Sequence, residues 1–438
     1  MSDVDIFHVL NVSVQGPDTP SHQLQPQNTA AKTEDANSSQ SSRTGESASE
    51  TNYSSFPNPA TKEDLLQVLD HKLQFEANDI DLILLGMCRA GGFTDLAISI
   101  GRRISRKRNL ETQRFFNHKL TQSEVQSFVE KMYSNDAWIR VQTPGGEIDE
   151  AYEVFDEEKQ LRWRFRVNIC QTNPGQGTML GVKIVFRQMP ESVPTLSDLN
   201  APDVIRKNCA PRRGLVMVGG ETGSGKTTLC AAMIRHILET TNKWILGYES
   251  PIEFIFDGIG DESEIWQHGV GEYSQFKSYG AALKNALRCG PEGIFVGESR
   301  ERETFMVLPK IAASGHFGLT TLHAKSIADM FPRIADEVDA SYKDGLIRQI
   351  INYMHMAIVQ YLVRTVDGGV SAVREHLIFT DEVKTFILES EKDLGIVRAI
   401  NSAVEKFGCS LSESANELVD QGVISSNERD SLLGTIIE

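Results

Sequence analysis

The residues best suited to chemistry lie in one glycine-rich stretch near the middle of the chain. Gly220-Glu221-Thr222-Gly223-Ser224-Gly225-Lys226-Thr227 matches the pattern G-x-x-x-x-G-K-[ST]. In this pattern the backbone N–H groups point at phosphate, the lysine reaches the β- and γ-phosphates, and the hydroxyl can ligate Mg²⁺. An apolar stretch, Leu215–Val218, precedes the loop, and a helical pattern, Thr228–Leu238, follows it. The pattern therefore predicts a nucleotide-phosphate site at Gly220, Glu221, Thr222, Gly223, Ser224, Gly225, Lys226, Thr227 and Thr228.

Three apolar stretches beyond this loop each end in polar residues that suit phosphate hydrolysis. They are Trp244–Tyr248, which leads to Glu249 and Glu253, Ile294–Val296, which leads to Glu298, and Leu319–Leu322, which leads to His323. Ligands of a parallel sheet bind beyond the carboxyl ends of its strands, so we expect these residues to converge on the loop. Hydrolysis needs one carboxylate to hold Mg²⁺ and another to orient the attacking water. No N-K-x-D motif is present, which disfavours a GTPase.

The composition divides the chain into four parts. Residues 1–60 are polar and acidic, which predicts a disordered low-complexity tail. Residues 61–196 mix helical and alternating patterns and are expected to form a small α+β domain. Residues 201–380 show apolar strands alternating with helices, as in a parallel α/β sheet. Residues 381–438 carry helical spacing and are expected to form a helical C-terminal region.

Local patterns predict the elements within these parts. Helices are expected at Lys62–Leu69 and Ile80–Ala90, and the proline-rich stretch Met189–Asp203 is the expected linker. The short alternating segments that we interpret as strands are Leu96–Ile104, Trp138–Thr143, Tyr152–Phe155, Leu161–Cys170 and Met179–Arg187. After about Lys325 we expect mainly helix, with helical signals near Gly395–Glu405, Leu411–Asp420 and Ser426–Leu433.

Bulk properties disfavour several classes of protein. With 44 Lys and Arg against 60 Asp and Glu, the net charge of −16 argues against a protein that coats nucleic acid. No apolar run is long enough to span a membrane, and no secretory signal is visible, so we expect a cytoplasmic location without an integral membrane segment. The six cysteines are scattered without a C-x-x-C pair, which indicates reduced thiols.

Taken together, the motifs resemble those of the secretion "traffic" ATPases of type II and type IV systems, especially the pilus-retraction branch. The resemblance covers about residues 75–435. The matching segments are Arg164–Asn168 with Phe186-Arg187, Glu249–Phe254, Ala282–Arg288, Val296–Thr304, Gly315–His323, and Gly368-Gly369 with Arg374-Glu375.

The resemblance implies a role for each matched residue. Glu253 would be the general base for the attacking water, Glu298 a carboxylate at the Mg²⁺ and water site, and His323 a sensor of the γ-phosphate. Thr227 and Glu298 would be the metal ligands, with ATP and Mg²⁺ as the cofactors. Arg164, Arg166 and Arg187 would reach the phosphates of a neighbouring subunit, as arginine fingers do.

The resemblance also implies an architecture and a partner. We expect a PAS-like α+β domain, then a RecA-like P-loop ATPase domain, assembled as a homohexamer with ATP sites at subunit boundaries. The ring would work on a membrane-embedded apparatus, peripherally bound at the cytoplasmic face of the inner membrane. The missing four-cysteine zinc module favours the retraction-like or type IVB branch of the family. The long polar head and the helical run before Asp95 resemble the Dot/Icm secretion ATPases and their relatives in conjugative transfer. Ser250 stands where the family usually has Asp, and Glu221 stands where it usually has Pro or Ala.

The sequence leaves rival hypotheses open. The same motifs would serve a type IV pilus retraction motor. A RecA-like DNA translocase would need a basic groove that tracks a strand, and only the cluster Arg102–Arg108 hints at one, so direct nucleic-acid binding is not expected. That cluster could also contact anionic lipid, although a charged hairpin edge is the simpler interpretation. A non-hydrolysing scaffold is disfavoured because Glu253 and Glu298 are both present.

Overall fold

A computed structural model describes residues 64–108, 111–173, 181–190, 192–271 and 273–437. The tail at residues 1–60 lies outside these residues, so its predicted disorder stays a prediction. Within the described part of the chain, no helix is both long enough and apolar enough to cross a membrane.

The first half of the described chain forms a six-stranded antiparallel sheet with four helices. The strand order is β3-β2-β1-β6-β5-β4. The strands are β1 (Asp95–Ser99), β2 (Ser105–Arg108), β3 (Glu111–Arg114), β4 (Glu147–Asp156), β5 (Leu161–Thr172) and β6 (Gly181–Gln188). The helices are α1 (Asp64–Asp70), α2 (Asp79–Arg89), α3 (Gln122–Met132) and α4 (Asn135–Gln142).

Strand alternation and helix capping explain this sheet. Along β5, Trp163, Phe165, Val167 and Ile169 point into one apolar core, while the residues between them are only half-buried or exposed. Helix α3 begins with a capping box in which Thr121 and Glu124 exchange backbone and side-chain hydrogen bonds.

The second half forms a seven-stranded sheet of order β13-β12-β7-β11-β10-β8-β9, parallel except for the β12–β13 pair. Its strands are β7 (Gly214–Gly219), β8 (Trp244–Glu249), β9 (Glu264–Gly269), β10 (Gly293–Val296), β11 (Phe317–Leu322), β12 (Met354–Arg364) and β13 (Val370–Ile378). Helices α5 (Asp203–Asn208), α6 (Lys226–Thr240), α7 (Tyr279–Cys289), α8 (Arg302–Ala313), α9 (Ile327–Asp336) and α10 (Lys343–Tyr353) accompany them.

Both faces of this sheet are covered. Leu215 and Met217 of β7 belong to one apolar cluster, and Val216 and Val218 belong to another, so alternate residues of one strand face opposite layers. Strands buried on both faces have continuous apolar sequences, which is why the sequence pattern identified β7, β8, β10 and β11. The mixed α/β fold class expected from the sequence is confirmed.

Four helices end the described chain: α11 (Asp381–Leu394), α12 (Ile396–Phe407), α13 (Leu411–Asp420) and α14 (Ser426–Ile437). The three helical signals predicted after residue 394 correspond to α12, α13 and α14. Helix α11 lies within residues 381–438, which were expected to be helical, although no separate signal was assigned to it. Buried residues of α12, such as Ile400 and Val404, join the apolar cluster of the sheet.

One expectation about local structure was wrong. Trp138–Thr143 is not a strand, because it lies largely in α4, whose N-cap Ser134 accepts a hydrogen bond from Ala137 N–H. The region after Lys325 is mainly helical, as expected, but β12 and β13 also extend the sheet there. The run Met356–Val363 is apolar except for Gln360, so periodicity could not distinguish a buried strand from a buried helix.

The basic cluster Arg102–Arg108 leads into β2, beside the edge strand β3. Arg106 is buried, donates to Gln113 and stacks over Phe115, and Arg103 donates to the carbonyl of Phe116. Two of its cations therefore hold the hairpin in place.

Candidate functional site

The phosphate loop leaves the fully buried strand β7 and turns directly into α6. Gly223 and Gly225 both have φ of 80°, a left-handed conformation that glycine adopts without strain. Lys226 is the first residue of α6, and its side chain is buried. Its Nζ donates to the carbonyls of Gly220 at 2.9 Å and Glu221 at 2.8 Å, which folds the lysine back across the loop. Burial lowers the pKa of Lys226.

A cavity of about 170 Å³ opens beside this loop at the carboxyl ends of β8, β10 and β11. It brings together most of the residues that the sequence singled out. Its lining includes Thr222, Gly223, Lys226, Thr227, Glu253, Glu298, His323 and Arg166. In the structure, three strand ends therefore converge on the phosphate loop, as predicted.

Glu253 lies on the segment that follows β8, held from two sides. The Thr227 hydroxyl and the Glu253 carboxylate line the same cavity, and Thr227 lowers the pKa of Glu253. Arg164 of β5 donates to the backbone carbonyls of Ile252 at 2.6 Å and Glu253 at 3.0 Å. Burial raises the pKa of Glu253, while the charge of Arg166 and the Thr227 hydrogen bond oppose that rise. A carboxylate with a raised pKa in a cavity is a better proton acceptor than an exposed one.

Glu298 sits between a histidine and an arginine. Its Oε1 lies 3.1 Å from Nε2 of His323 and 2.5 Å from Nε of Arg300. Burial lowers the pKa of His323 most, and the positive charge of Lys226 lowers it further. Both effects favour the neutral imidazole. Glu298 and His323 therefore lie side by side at the phosphate loop, and Oε1 of Glu298 accepts no hydrogen bond there from any described residue.

The three predicted arginine fingers occupy three different environments. Arg166 lines the cavity of its own chain and pairs with Asp149 at 2.5 Å. Arg164 is occupied by the Ile252 and Glu253 carbonyls. Arg187 pairs with Asp95 at 2.9 Å on the sheet surface, and its side chain is 67% exposed. Action on a neighbouring subunit stays a prediction, and the geometry makes Arg187 the arginine most accessible to another chain.

Comparison with known proteins identifies the family. A family model described as Type II/IV secretion system protein matches residues 160–417, more than half of the chain. The chain belongs to this family. It is 34% identical over 298 residues to a twitching motility protein of Neisseria gonorrhoeae, covering 66% of this chain and 74% of that protein.

Two solved structures resemble this secretion-family chain over most of its length. The Legionella pneumophila ATPase DotB is 29% identical, covers 83% of this chain and 98% of its own, and superposes with a TM-score of 0.76. The pilus retraction motor PilT with bound ADP is 25% identical, covers 82% of this chain and 97% of its own, and superposes with a TM-score of 0.67. The chain is thus an ATP hydrolase of the pilus and secretion ATPase family.

The oxygen atoms around the cavity fit Mg²⁺. Among the described residues, no three or more His, Cys, Asp or Glu side chains are grouped to hold a metal ion by themselves. Mg²⁺ seldom needs such a cage, because it is bound by one or two protein oxygens together with phosphates and water. The Thr227 hydroxyl and the Glu298 carboxylate line the same cavity and provide that number of ligands.

A second cavity, of about 190 Å³, lies on the other side of the phosphate loop of this ATPase. Its lining combines the expected linker, the first turn of α6 and the β12–β13 hairpin, represented by Asn200, Thr228, Leu362 and Ser371. Leu362 is an exposed apolar side chain at this position.

Sequence reasoning assigned no specific role to several side chains of the site. Arg300 and Tyr279 line the cavity, and so does Glu249, which is fully buried and accepts from Gln267 at 2.9 Å. Burial raises the pKa of Glu249 to about 7. The signal for Arg300 and Glu249 was present, because each stands within a motif that was already recognised, whereas no motif indicated Tyr279.

Proposed function

We propose that this ATPase is a ring-shaped motor that powers a type IVB secretion or conjugative transfer apparatus from the cytoplasmic face of the inner membrane. The observation that carries the specific role is the likeness to DotB, which extends over 98% of that chain and over both sheets of this one. In this proposal the chain assembles as a homohexamer and binds the apparatus peripherally, since no spanning helix is found among the described residues.

Hydrolysis in this proposal follows from the cavity. Lys226 leaves the Gly220 and Glu221 carbonyls and binds the β- and γ-phosphates, whose charge compensates its own. Glu253, whose pKa is raised, accepts a proton from the attacking water. Thr227 and Glu298 would hold Mg²⁺, which would supply positive charge against the phosphates. His323 lies beside Glu298 and donates a hydrogen bond to the γ-phosphate of ATP or to the phosphate that hydrolysis releases.

A pilus retraction motor is the second candidate. It is favoured by the sequence similarity to the Neisseria twitching motility protein and by the structural similarity to PilT. Both functions use the same ATPase site, so the site cannot distinguish them.

Deletion of the gene in the organism that encodes this chain separates the two candidates. We expect loss of effector export or of plasmid transfer with unchanged twitching, and recovery with the wild-type gene but not with a Lys226→Ala gene. Loss of twitching with normal export and transfer would overturn the secretion proposal in favour of pilus retraction.

A further inference from the structure

A buried arginine joins the interdomain linker to the phosphate loop. Arg374 of β13 is only 4% exposed, and in the described part of the chain no carboxylate is paired with it. Its Nε donates to Oε1 of Gln360 at 2.8 Å. Its two terminal nitrogens donate to the carbonyls of Asn200 at 3.1 Å and Leu199 at 2.8 Å. Gln360 in turn donates from Nε2 to the carbonyl of Ser224, inside the loop, at 2.6 Å.

The chemistry of the donors fixes the direction of this chain of hydrogen bonds. A guanidinium can only donate, so the Gln360 oxygen must face Arg374 and its NH₂ must face the loop. Burial lowers the pKa of Arg374 to about 10, so the guanidinium stays charged at neutral pH. A buried cation is costly unless its donors find acceptors, and here each of the three guanidinium nitrogens donates to one neutral oxygen. Gln360 and Arg374 are direct cross-strand partners, which holds both side chains in register.

The loop is shaped against Gln360 at two further points. A Cβ at Gly225 would lie 2.9 Å from the Gln360 amide nitrogen, and a Cβ at Gly220 would lie 2.5 Å from the Gln360 carbonyl oxygen. Both ends of the phosphate loop therefore touch one residue of β12. A shift of Gln360 would change the directions of the loop N–H groups that bind phosphate.

At the other end, the linker accepts both remaining bonds. Leu199 and Asn200 lie between β6 of the first sheet and β7 of the second. Asn200 has a left-handed backbone with φ of 47°, a conformation that costs energy in a residue other than glycine and must be held by its surroundings. Arg374 supplies such a hold on the Asn200 carbonyl.

We propose that Arg374 and Gln360 are positioning residues that couple the linker to the phosphate loop. Nucleotide affinity then depends on the position of the linker, and by thermodynamic reciprocity a bound nucleotide stabilises the linker. The inference rests on the ATPase activity of the chain and is independent of which apparatus the motor serves.

The first test is a double-mutant cycle on nucleotide binding by the full chain. Gln360→Met and Arg374→Met each keep a long side chain but break the series of hydrogen bonds, so we expect each to weaken ADP binding roughly tenfold. The double variant should be no weaker than either single one, because one broken link already disconnects loop and linker. Additive losses would overturn the proposal. Arg364→Met, an exposed arginine on the same strand, is the matched control.

The second test has a readout that a merely structural role would not change. In wild-type protein, ADP should slow amide hydrogen exchange at residues 198–201 several-fold. In Gln360→Met, saturating ADP should leave that exchange unprotected, while protection at the loop persists. If saturating ADP protects the linker equally in Gln360→Met and wild type, the coupling does not exist. Gln360→Met alone suffices for this test if Arg374→Met does not fold. Arg374→Lys should restore only part of the protection of the linker by ADP, because its single nitrogen cannot bridge the three oxygens.

Discussion

Lys226 and Glu253 lie in one cavity. Replacing either residue should reduce turnover, but only the replacement of Lys226 should weaken nucleotide binding. Lys226→Ala removes a buried cation that compensates the phosphates, so nucleotide affinity should fall roughly tenfold to a hundredfold and turnover should collapse. Glu253→Gln keeps the shape and the contact with Thr227 but removes the basic oxygen. It should bind ATP normally and lose roughly 10²–10⁴-fold in turnover.

Titration with a fluorescent ADP and a phosphate-release assay measure both properties. Lys207→Ala, at an exposed lysine of α5, is the control for the loss of a positive charge. Wild-type turnover in Lys226→Ala would contradict the assignment of the loop. A loss of nucleotide binding in Glu253→Gln would give Glu253 a structural role instead.

The acid limb of the activity profile should report the burial of Glu253. Its pKa is raised above the ordinary value of 4.5, and the base acts only when it is deprotonated. Activity should therefore fall as the pH drops through this raised pKa, so the limb of kcat/KM should lie above pH 4.5. Burial raises the pKa of Glu249 to about 7, so Glu249 carries little charge at the pH of this limb, and Glu249→Gln should leave the limb in place. Disappearance of the limb in Glu249→Gln would assign it to Glu249.

At the scale of elements, the sequence predicted the strands that carry the chemistry. Strands β7, β8, β10 and β11 are short apolar runs with polar residues at their ends, and their burial on both faces explains that pattern. Strand β9 was not predicted because it lies at the sheet edge, where Trp266 is exposed and the apolar signal is weak. Trp138–Thr143 has an alternating sequence, but the cap at Ser134 and the packing of Trp138 make it helical.

The sequence predicted those parts of the candidate site that lie within recognisable motifs. The phosphate loop, Glu253, Glu298 and His323 lie in contiguous motifs or at strand ends, and their convergence follows from parallel topology. Gln360 and Arg374 could not be predicted, because their contact with Ser224 depends on β12 pairing beside β7. Arg164 was assigned from its motif to a phosphate, whereas its position opposite the Ile252 carbonyl depends on how the two sheets pack.

Strand β10 tests how tightly the sheet positions Glu298, which follows it. A Cβ at Gly293 would lie 2.2 Å from the ring of its cross-strand partner Phe317. Gly293→Ala should therefore destabilise the fold by about 1–3 kcal/mol. Gly345→Ala is the matched control, because Gly345 lies in α10 with open space around it, and there alanine should stabilise by about 0.5–1 kcal/mol. Urea unfolding followed by circular dichroism measures both, and equal effects of the two changes would contradict this account of the strand.

At the scale of the whole molecule, two contacts connect the first sheet with the ATPase site. Glu150 of β4 is buried and accepts from Ser274 at 2.7 Å and from the Tyr273 N–H at 3.2 Å. Arg164 of β5 holds the carbonyls beside the base Glu253. The first domain is therefore part of the site of its own chain. In the proposed ring, a neighbouring subunit therefore need not supply Arg166, because Arg166 already lines the cavity of its own chain.

The proposed ring can be tested by complementation between damaged subunits. Arg187 is the exposed member of the three arginines, so we expect it to act on a neighbour, and Arg166 to act within its own chain. Mixing Arg187→Ala with Lys226→Ala subunits should restore activity, since about a quarter of all sites in a random equal mixture pair an intact loop with an intact neighbouring arginine. Mixing Arg166→Ala with Lys226→Ala subunits should restore no activity. Arg166 and Lys226 line the cavity of the same chain, so every site in the mixture lacks one of them.

Specific activity of the wild type should also rise with protein concentration as rings form, because a lone subunit lacks the neighbour's charge in the transition state. Constant specific activity on dilution, with no rescue in the Arg187 mixture, would mean that each chain contains a complete site and that the ring is not needed for hydrolysis.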